Sequence, residues 1–166
     1  MMMCVAVIFR AAVTGVAVLV LGGWVLAETY SAGGLQIGNP WARATPSGAS
    51  VGAGYLTITN TGKQSDRLVG GTALPAARFE VHATVVEQGV AKMRPVEGLE
   101  IKPGETIELR PGGMHVMFMG LREPLRQGQR VRGTLVFEKA GKIEIEFSVQ
   151  PVGAPAPGGR DGHTGR

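Results

Sequence analysis

Short runs of alternating apolar and polar residues, each closed by turn-forming residues, constrain the fold of this chain more than any other feature. Tyr55–Thr59 alternates and ends at Asn60-Thr61-Gly62, and Thr106–Arg110 ends at Pro111-Gly112-Gly113. Such runs recur about every 8–15 residues, the spacing of β-strands joined by tight turns. No stretch between them shows a convincing amphipathic helix.

About eight such strands in about 115 residues predict one all-β domain, an antiparallel sandwich or small barrel. The chain has 166 residues, enough for one such domain with a real core. The other predicted strands are Phe79–Val86, Val90–Val96, Met114–Leu121, Arg130–Glu138 and Lys142–Gln150. We place the domain at residues 39–152, a loosely held lead-in at 28–38 and a disordered Gly/Pro-rich tail at 153–166.

Residues 1–27 have the pattern of a secretory signal peptide. Arg10 precedes an uncharged, mostly apolar stretch. Val25-Leu26-Ala27 follows, and it has small residues at the two positions that a signal peptidase recognises. The alternative is a membrane anchor, but the apolar stretch is shorter than the roughly 20 residues of a spanning helix. We therefore expect export to the periplasm and a mature chain without a membrane span.

Removal of residues 1–27 would also remove Cys4, the only cysteine of the chain. A mature protein without thiols would have to build any soft-metal site from other donors. Its charge would be modestly positive, and no basic run with interleaved aromatic residues is present. Nucleic acid is therefore excluded as an expected partner.

The strand predicted at 114–121 carries the first unusual residues. Alternation puts Met114, Val116 and Phe118 on one face, which has the character of a core. His115, Met117 and Met119 share the opposite face, so two methionines and a histidine lie where solvent would be expected. A lone methionine is usually core filler, but an imidazole and a thioether two residues apart can also converge on one ion.

A second pair of candidates lies on the strands around 79–96. His82 belongs to the set that points away from the predicted core. If Gln88-Gly89 is a two-residue hairpin loop, Thr84 faces Met93, and His82 and Met93 become diagonal neighbours. A three-residue loop would put Met93 on the other face unless a bulge corrects the register.

Together these residues would form a soft, neutral donor set of two imidazoles and two thioethers. Thioethers favour Cu(I) over zinc, and the carboxylates that harder metals need are missing from the predicted set. Neutral donors hold an ion less tightly than thiolates, as a carrier that must release its cargo requires. The hypothesis is one Cu(I) per chain, held by His82, Met93, His115 and Met117.

The spacing of these four residues is H-x10-M-x21-H-x-M. It resembles the signature of the PCuAC family of periplasmic copper chaperones. Three further segments also resemble sequences found in this family: Trp41-Ala42-Arg43, Lys92–Val96 and Pro111–Met117. The resemblance covers about residues 39–150. The chain departs from many members at Ala83-Thr84, where they have a methionine, and its tail offers only His163 as a further donor.

The resemblance implies a cupredoxin-like β fold and Cu(I) bound at the surface by His82, Met93, His115 and Met117. It also implies delivery of copper to the CuA centre of cytochrome c oxidase, with subunit II or a Sco-type copper chaperone as acceptor or partner. Met119 is a candidate spare ligand, although packing beside the site is the simpler interpretation.

Three alternatives remain open at the level of sequence. The protein could buffer periplasmic copper rather than deliver it, or it could be a metal-free β-sandwich binding module. A copper enzyme or electron carrier is disfavoured because a blue-copper centre needs a cysteine thiolate. No serine–histidine–aspartate set, carboxylate pair or phosphate loop is evident, so we predict no enzymatic activity.

Overall fold

The computed structural model describes residues 29–155, and this part of the chain is all-β, as predicted. It contains eleven strands, more than the eight or so expected. They are β1 Thr29–Ala32, β2 Leu35–Arg43, β3 Val51–Asn60, β4 Asp66–Ala73, β5 Arg78–Glu87, β6 Val90–Pro95, β7 Leu99–Ile101, β8 Thr106–Leu109, β9 His115–Met119, β10 Arg130–Phe137 and β11 Gly141–Gln150.

The additional strands lack the signals on which sequence analysis depends. β4 contains Gly70-Gly71, a pair that is more typical of a turn than of a strand interior. β1 and β7 have four and three residues, too few to show alternation. Their strand conformation comes from pairing with β2 and β4 respectively, which is tertiary information.

All eleven strands belong to one sheet, with the order β6-β5-β9-β3-β2-β11-β10-β4-β7, while β1 pairs with β2 and β8 with β3. The all-β sandwich-or-barrel prediction is confirmed, but two details differ from a purely antiparallel or closed arrangement. β11 pairs parallel with β2, so the sheet is mixed. The strand order also ends at β6 on one side and β7 on the other, so the sheet is not closed.

The sheet folds over on itself, and its core forms between strands that are not neighbours. Phe118 on β9 meets Phe147 on β11 edge-on, with ring centroids 5.2 Å apart. Gly54 on β3 lies against this pair, where a Cβ atom would come within 2.6 Å of Phe118. Val116 and Phe118 are fully buried, which confirms the predicted core face of β9.

The segment expected to be a lead-in, 28–38, is part of the sheet from Thr29 onward. Leu35 and Ile37 on β2 are buried, because they alternate inward and β2 pairs with β3 along this stretch. Trp41 and Tyr55 are buried with ring centroids 4.4 Å apart, in line with their expected core position. The predicted signal peptide, 1–27, and the tail from 156 lie outside the described residues.

Within residues 29–155, no helix has the length and apolar character needed to cross a membrane.

Candidate metal centre

The β5–β6 hairpin has the two-residue loop, one of the two registers that the sequence left open. Glu87 pairs with Val90, so Gln88 and Gly89 form the two-residue loop. Both loop residues have positive φ, 51° and 79°, as a type I′ turn requires. Met93 consequently pairs with Thr84 and shares a face of the sheet with it.

The next strand pair, β5 with β9, brings the two histidines together. His82 pairs directly with His115, and their ring centroids are 6.3 Å apart. Met117 pairs with Glu80, two residues before His82. Because paired residues share a face and residues two apart on one strand do too, His115 and Met117 face the same side as His82.

All four predicted residues therefore lie on one face of the three outermost strands at this end of the sheet. The histidine pair is central, Met93 lies diagonally on one flank of His82, and Met117 lies diagonally on the other. His115 is only 6% exposed, whereas Met93 is 61% exposed on the edge strand β6. The site thus has a buried imidazole at its base and a thioether at its rim.

The turn before β9 orients the ring of His115. Arg110 donates its backbone N–H to the carbonyl of Met114 at 2.7 Å, and Gly112 provides the positive φ of 79° that this turn requires. The carbonyl of Gly113 is thereby turned toward the site, where it accepts a hydrogen bond from His115 Nδ1 at 3.0 Å. Nδ1 is then protonated, and Nε2 carries the free lone pair.

A carboxylate also lies on this face, contrary to the expectation of a site without one. Glu80 Oε2 is 2.9 Å from His82 Nε2, and Glu80 Oε1 is 3.6 Å from an Arg78 guanidinium nitrogen. The hydrogen bond from His82, followed by the charge of Arg78, holds the pKa of Glu80 below its ordinary value. The signal was present in the sequence, because Glu80 precedes His82 by two residues on one strand.

The donor set fits a soft monovalent ion better than a hard divalent one. Among residues 29–155, no group of three or more His, Cys, Asp or Glu side chains is placed to hold a metal. The two imidazoles would need the thioethers of Met93 and Met117 to complete a coordination shell. Metal–imidazole bonds of about 2 Å put the centroids of two rings on one ion about 5–6 Å apart, close to the observed separation.

The other residues considered as copper ligands lie beside the four-residue site or away from it. Met119 lies next to Met117 on the same face and pairs with Arg78 on one side and Val51 on the other. Met114 is half-buried and packs against the core. His163 lies outside the described residues.

The LpqE-like family, described as "Putative lipoprotein LpqE-like", matches residues 35–149. Protein Lxx21020 of Leifsonia xyli subsp. xyli is 35% identical over 125 residues, which cover 75% of this chain and 70% of that protein. RP573 of Rickettsia prowazekii is 31% identical over 103 residues, and the chain spans only 57% of its length.

Solved structures agree with this assignment. The copper-bound PCuAC domain from PmoF2 is similar with a TM-score of 0.65 and 26% identity, over 75% of this chain and 98% of that domain. The Cu(I) form of DR1885 from Deinococcus radiodurans is similar with a TM-score of 0.53 and 29% identity, over 68% of this chain and 75% of that one. The chain therefore belongs to the LpqE-like family and has the cupredoxin-like β fold of PCuAC domains.

Proposed function

We propose that this protein is a Cu(I) metallochaperone that carries one ion per chain on His82, Met93, His115 and Met117. The observation that carries the proposal is the strand register, which puts all four side chains on one face with the histidines directly opposed. The solved relatives add support, since PmoF2 is described as copper-bound and DR1885 as a CuI form.

The chemistry of the site suits a carrier rather than a catalyst. Two imidazoles and two thioethers add no charge, so the loaded centre keeps the charge of the ion. A thiolate acceptor binds Cu(I) more tightly than a thioether does, and transfer would proceed by exchanging one ligand at a time. The solvent-exposed Met93 is the donor that an acceptor reaches first.

The destination of the copper follows from the resemblance and from the predicted export. We infer that the mature chain works in the periplasm and delivers Cu(I) toward the CuA centre of cytochrome c oxidase. Subunit II would be the acceptor, either directly or through a Sco-type chaperone. The cysteine thiolates of such acceptors would outcompete the thioethers of this site.

The binding test compares matched variants in an anaerobic Cu(I) competition titration. We expect one Cu(I) per wild-type chain, and X-ray absorption at the copper edge with nitrogen and sulfur donors only. His115→Ala and Met117→Leu should each weaken binding at least tenfold, because each removes one donor. Met114→Leu makes the same chemical change on the core side and should retain wild-type affinity. Unchanged affinity in Met117→Leu would refute the ligand assignment.

A genetic test separates delivery from storage. Deletion of the gene should lower cytochrome c oxidase activity, and added copper should restore it, if the protein delivers to the oxidase. Normal oxidase activity together with greater sensitivity to copper would instead identify a buffering protein.

A further inference from the structure

We propose that Glu80 is a positioning residue that fixes the tautomer of His82, so that His82 binds the ion through Nδ1 while His115 binds it through Nε2. This inference rests on the copper-binding function proposed above and deepens it. Glu80 would then be a fifth residue of the copper site, one that orients a ligand without contacting the ion.

The first step concerns the hydrogen bond between Glu80 and His82. An ionised carboxylate can only accept hydrogen bonds, so the 2.9 Å contact between Glu80 Oε2 and His82 Nε2 requires a proton on Nε2. In a neutral imidazole the other nitrogen is then unprotonated. The contact therefore leaves the lone pair on Nδ1.

The second step concerns the surroundings of that lone pair. His82 Nδ1 is buried and has no hydrogen-bond partner among the described residues. A buried polar atom without a partner is costly and uncommon, and it often marks a place where a ligand or ion completes the contacts. A metal ion on Nδ1 would satisfy it without breaking the contact to Glu80.

The third step is the comparison with His115. That ring donates Nδ1–H to the carbonyl of Gly113 at 3.0 Å, which leaves Nε2 as its donor atom. Metal-binding histidines commonly donate their second nitrogen to a carboxylate or a backbone carbonyl, which sets both tautomer and orientation. Here the carboxylate of Glu80 accepts from Nε2 of His82, and the backbone carbonyl of Gly113 accepts from Nδ1 of His115. The two partners therefore bind opposite nitrogens of two facing rings.

The fourth step concerns the contacts of Glu80 itself. It lies in the interior of β5, and its second oxygen is 3.6 Å from a guanidinium nitrogen of Arg78 on the same strand and face. The Arg78 side chain is 68% exposed, so its contact with Glu80 is a weak restraint, and the hydrogen bond to His82 is the main contact of this carboxylate.

Affinity measurements on Glu80 variants provide the first test. Glu80→Ala should weaken Cu(I) binding by about 10–100-fold, the usual effect of losing such a partner. Glu80→Gln keeps an acceptor oxygen without the charge and should stay within a few-fold of wild type. Glu146→Ala, which removes an equal charge from a glutamate paired with Arg130 and Arg132 on the other side of the sheet order, should have no effect. Equal losses in Glu80→Gln and Glu80→Ala would show that charge alone matters and would overturn the proposal.

Long-range ¹H–¹⁵N NMR on ¹⁵N-histidine protein provides a readout that a purely structural role would not move. Before loading, His82 should show the Nε2–H form and His115 the Nδ1–H form. After loading, the copper-induced ¹⁵N shift should appear at Nδ1 of His82 and at Nε2 of His115. An Nδ1–H form of His82, or copper on its Nε2, would overturn the inference while wild-type Cu(I) binding still upheld the proposed function. Absence of Cu(I) binding by the wild-type protein would instead refute the function itself.

Discussion

The buried carboxylate of Asp66 fastens the start of β4 to the turn between β10 and β11. It accepts backbone N–H groups from Arg67 at 2.7 Å, Lys139 at 2.9 Å and Ala140 at 2.8 Å. Asp66 is 6% exposed, so water cannot readily replace it as the acceptor for these donors. Its role is structural, and it lies outside the candidate metal centre.

Asp66→Ala should lower the free energy of unfolding by about 1–3 kcal/mol, because it leaves buried donors unpaired. Asp66→Asn should cost less, since a single amide oxygen can still accept from Arg67 and Lys139, which both bind Oδ1. Urea denaturation of the three proteins checks the order. An Ala variant as stable as wild type would contradict this account.

The same carboxylate makes stability depend on pH. Burial alone raises the pKa of Asp66, but the three backbone N–H groups, helped by the charge of Lys139, outweigh burial and hold it below the ordinary value. The folded state then binds fewer protons than the unfolded state near the unfolded pKa of about 3.9. The stabilisation is present above that pH and is lost as pH falls through the folded value.

We therefore expect the urea midpoint of wild-type protein to fall below about pH 4, and to fall more steeply than that of Asp66→Asn. The neutral amide cannot titrate, so the difference between the two curves isolates Asp66. Parallel curves for the two proteins would show that other carboxyl groups dominate acid unfolding.

At the scale of elements, the β5–β6 hairpin determines whether Met93 reaches the histidines. Gly89 has φ of 79° and open space around it, so a side chain there meets no neighbour but forces a strained backbone. Gly104, between β7 and β8, has φ of 76° and is equally open. Alanine at either position would impose the same kind of backbone strain, so Gly104 is a matched control for Gly89 outside the hairpin.

Gly89→Ala should cost about 1–2 kcal/mol of local strain, which the hairpin can relieve by loosening. We expect faster amide exchange along β6 and Cu(I) affinity lower by up to about tenfold. Gly104→Ala should lose similar stability and keep its affinity. Equal affinity losses in both variants would show that the hairpin has no special role.

The same elements show what a sequence can and cannot predict. The turn residues Gln88-Gly89 are a local signal that indicated a hairpin, but a two-residue and a three-residue loop both stayed open, and the structure selected the pairing of Thr84 with Met93. The pairing of β5 with β9 joins residues far apart in the chain, and alternation alone does not choose between partner strands. For the same reason the mixed, open sheet and the strand character of 66–73 emerged only from the structure.

At the scale of the whole molecule, the proposed copper binding would be linked to folding. An ion that binds only the folded state stabilises it by about 2.7 kcal/mol at a hundredfold excess over Kd. For a domain of this size that corresponds to roughly a 10 °C rise in Tm. Anaerobic thermal unfolding with Cu(I) should show this rise in Tm for the wild-type protein and a much smaller rise for Met117→Leu. Zn(II) added to the wild-type protein should raise Tm less than Cu(I) does. An unchanged Tm with Cu(I) would favour a metal-free binding module.

Met93 belongs to β6, the outermost strand at its end of the sheet, whereas both histidines come from strands that are paired on each side. An exposed side chain turns about its own bonds in picoseconds to nanoseconds, and the turn breaks no backbone hydrogen bond. Under the ligand assignment proposed above, unloading would begin with this side chain and leave the pairing of the strands intact. The pace of hand-over would then depend on how often a recipient collides with this rim.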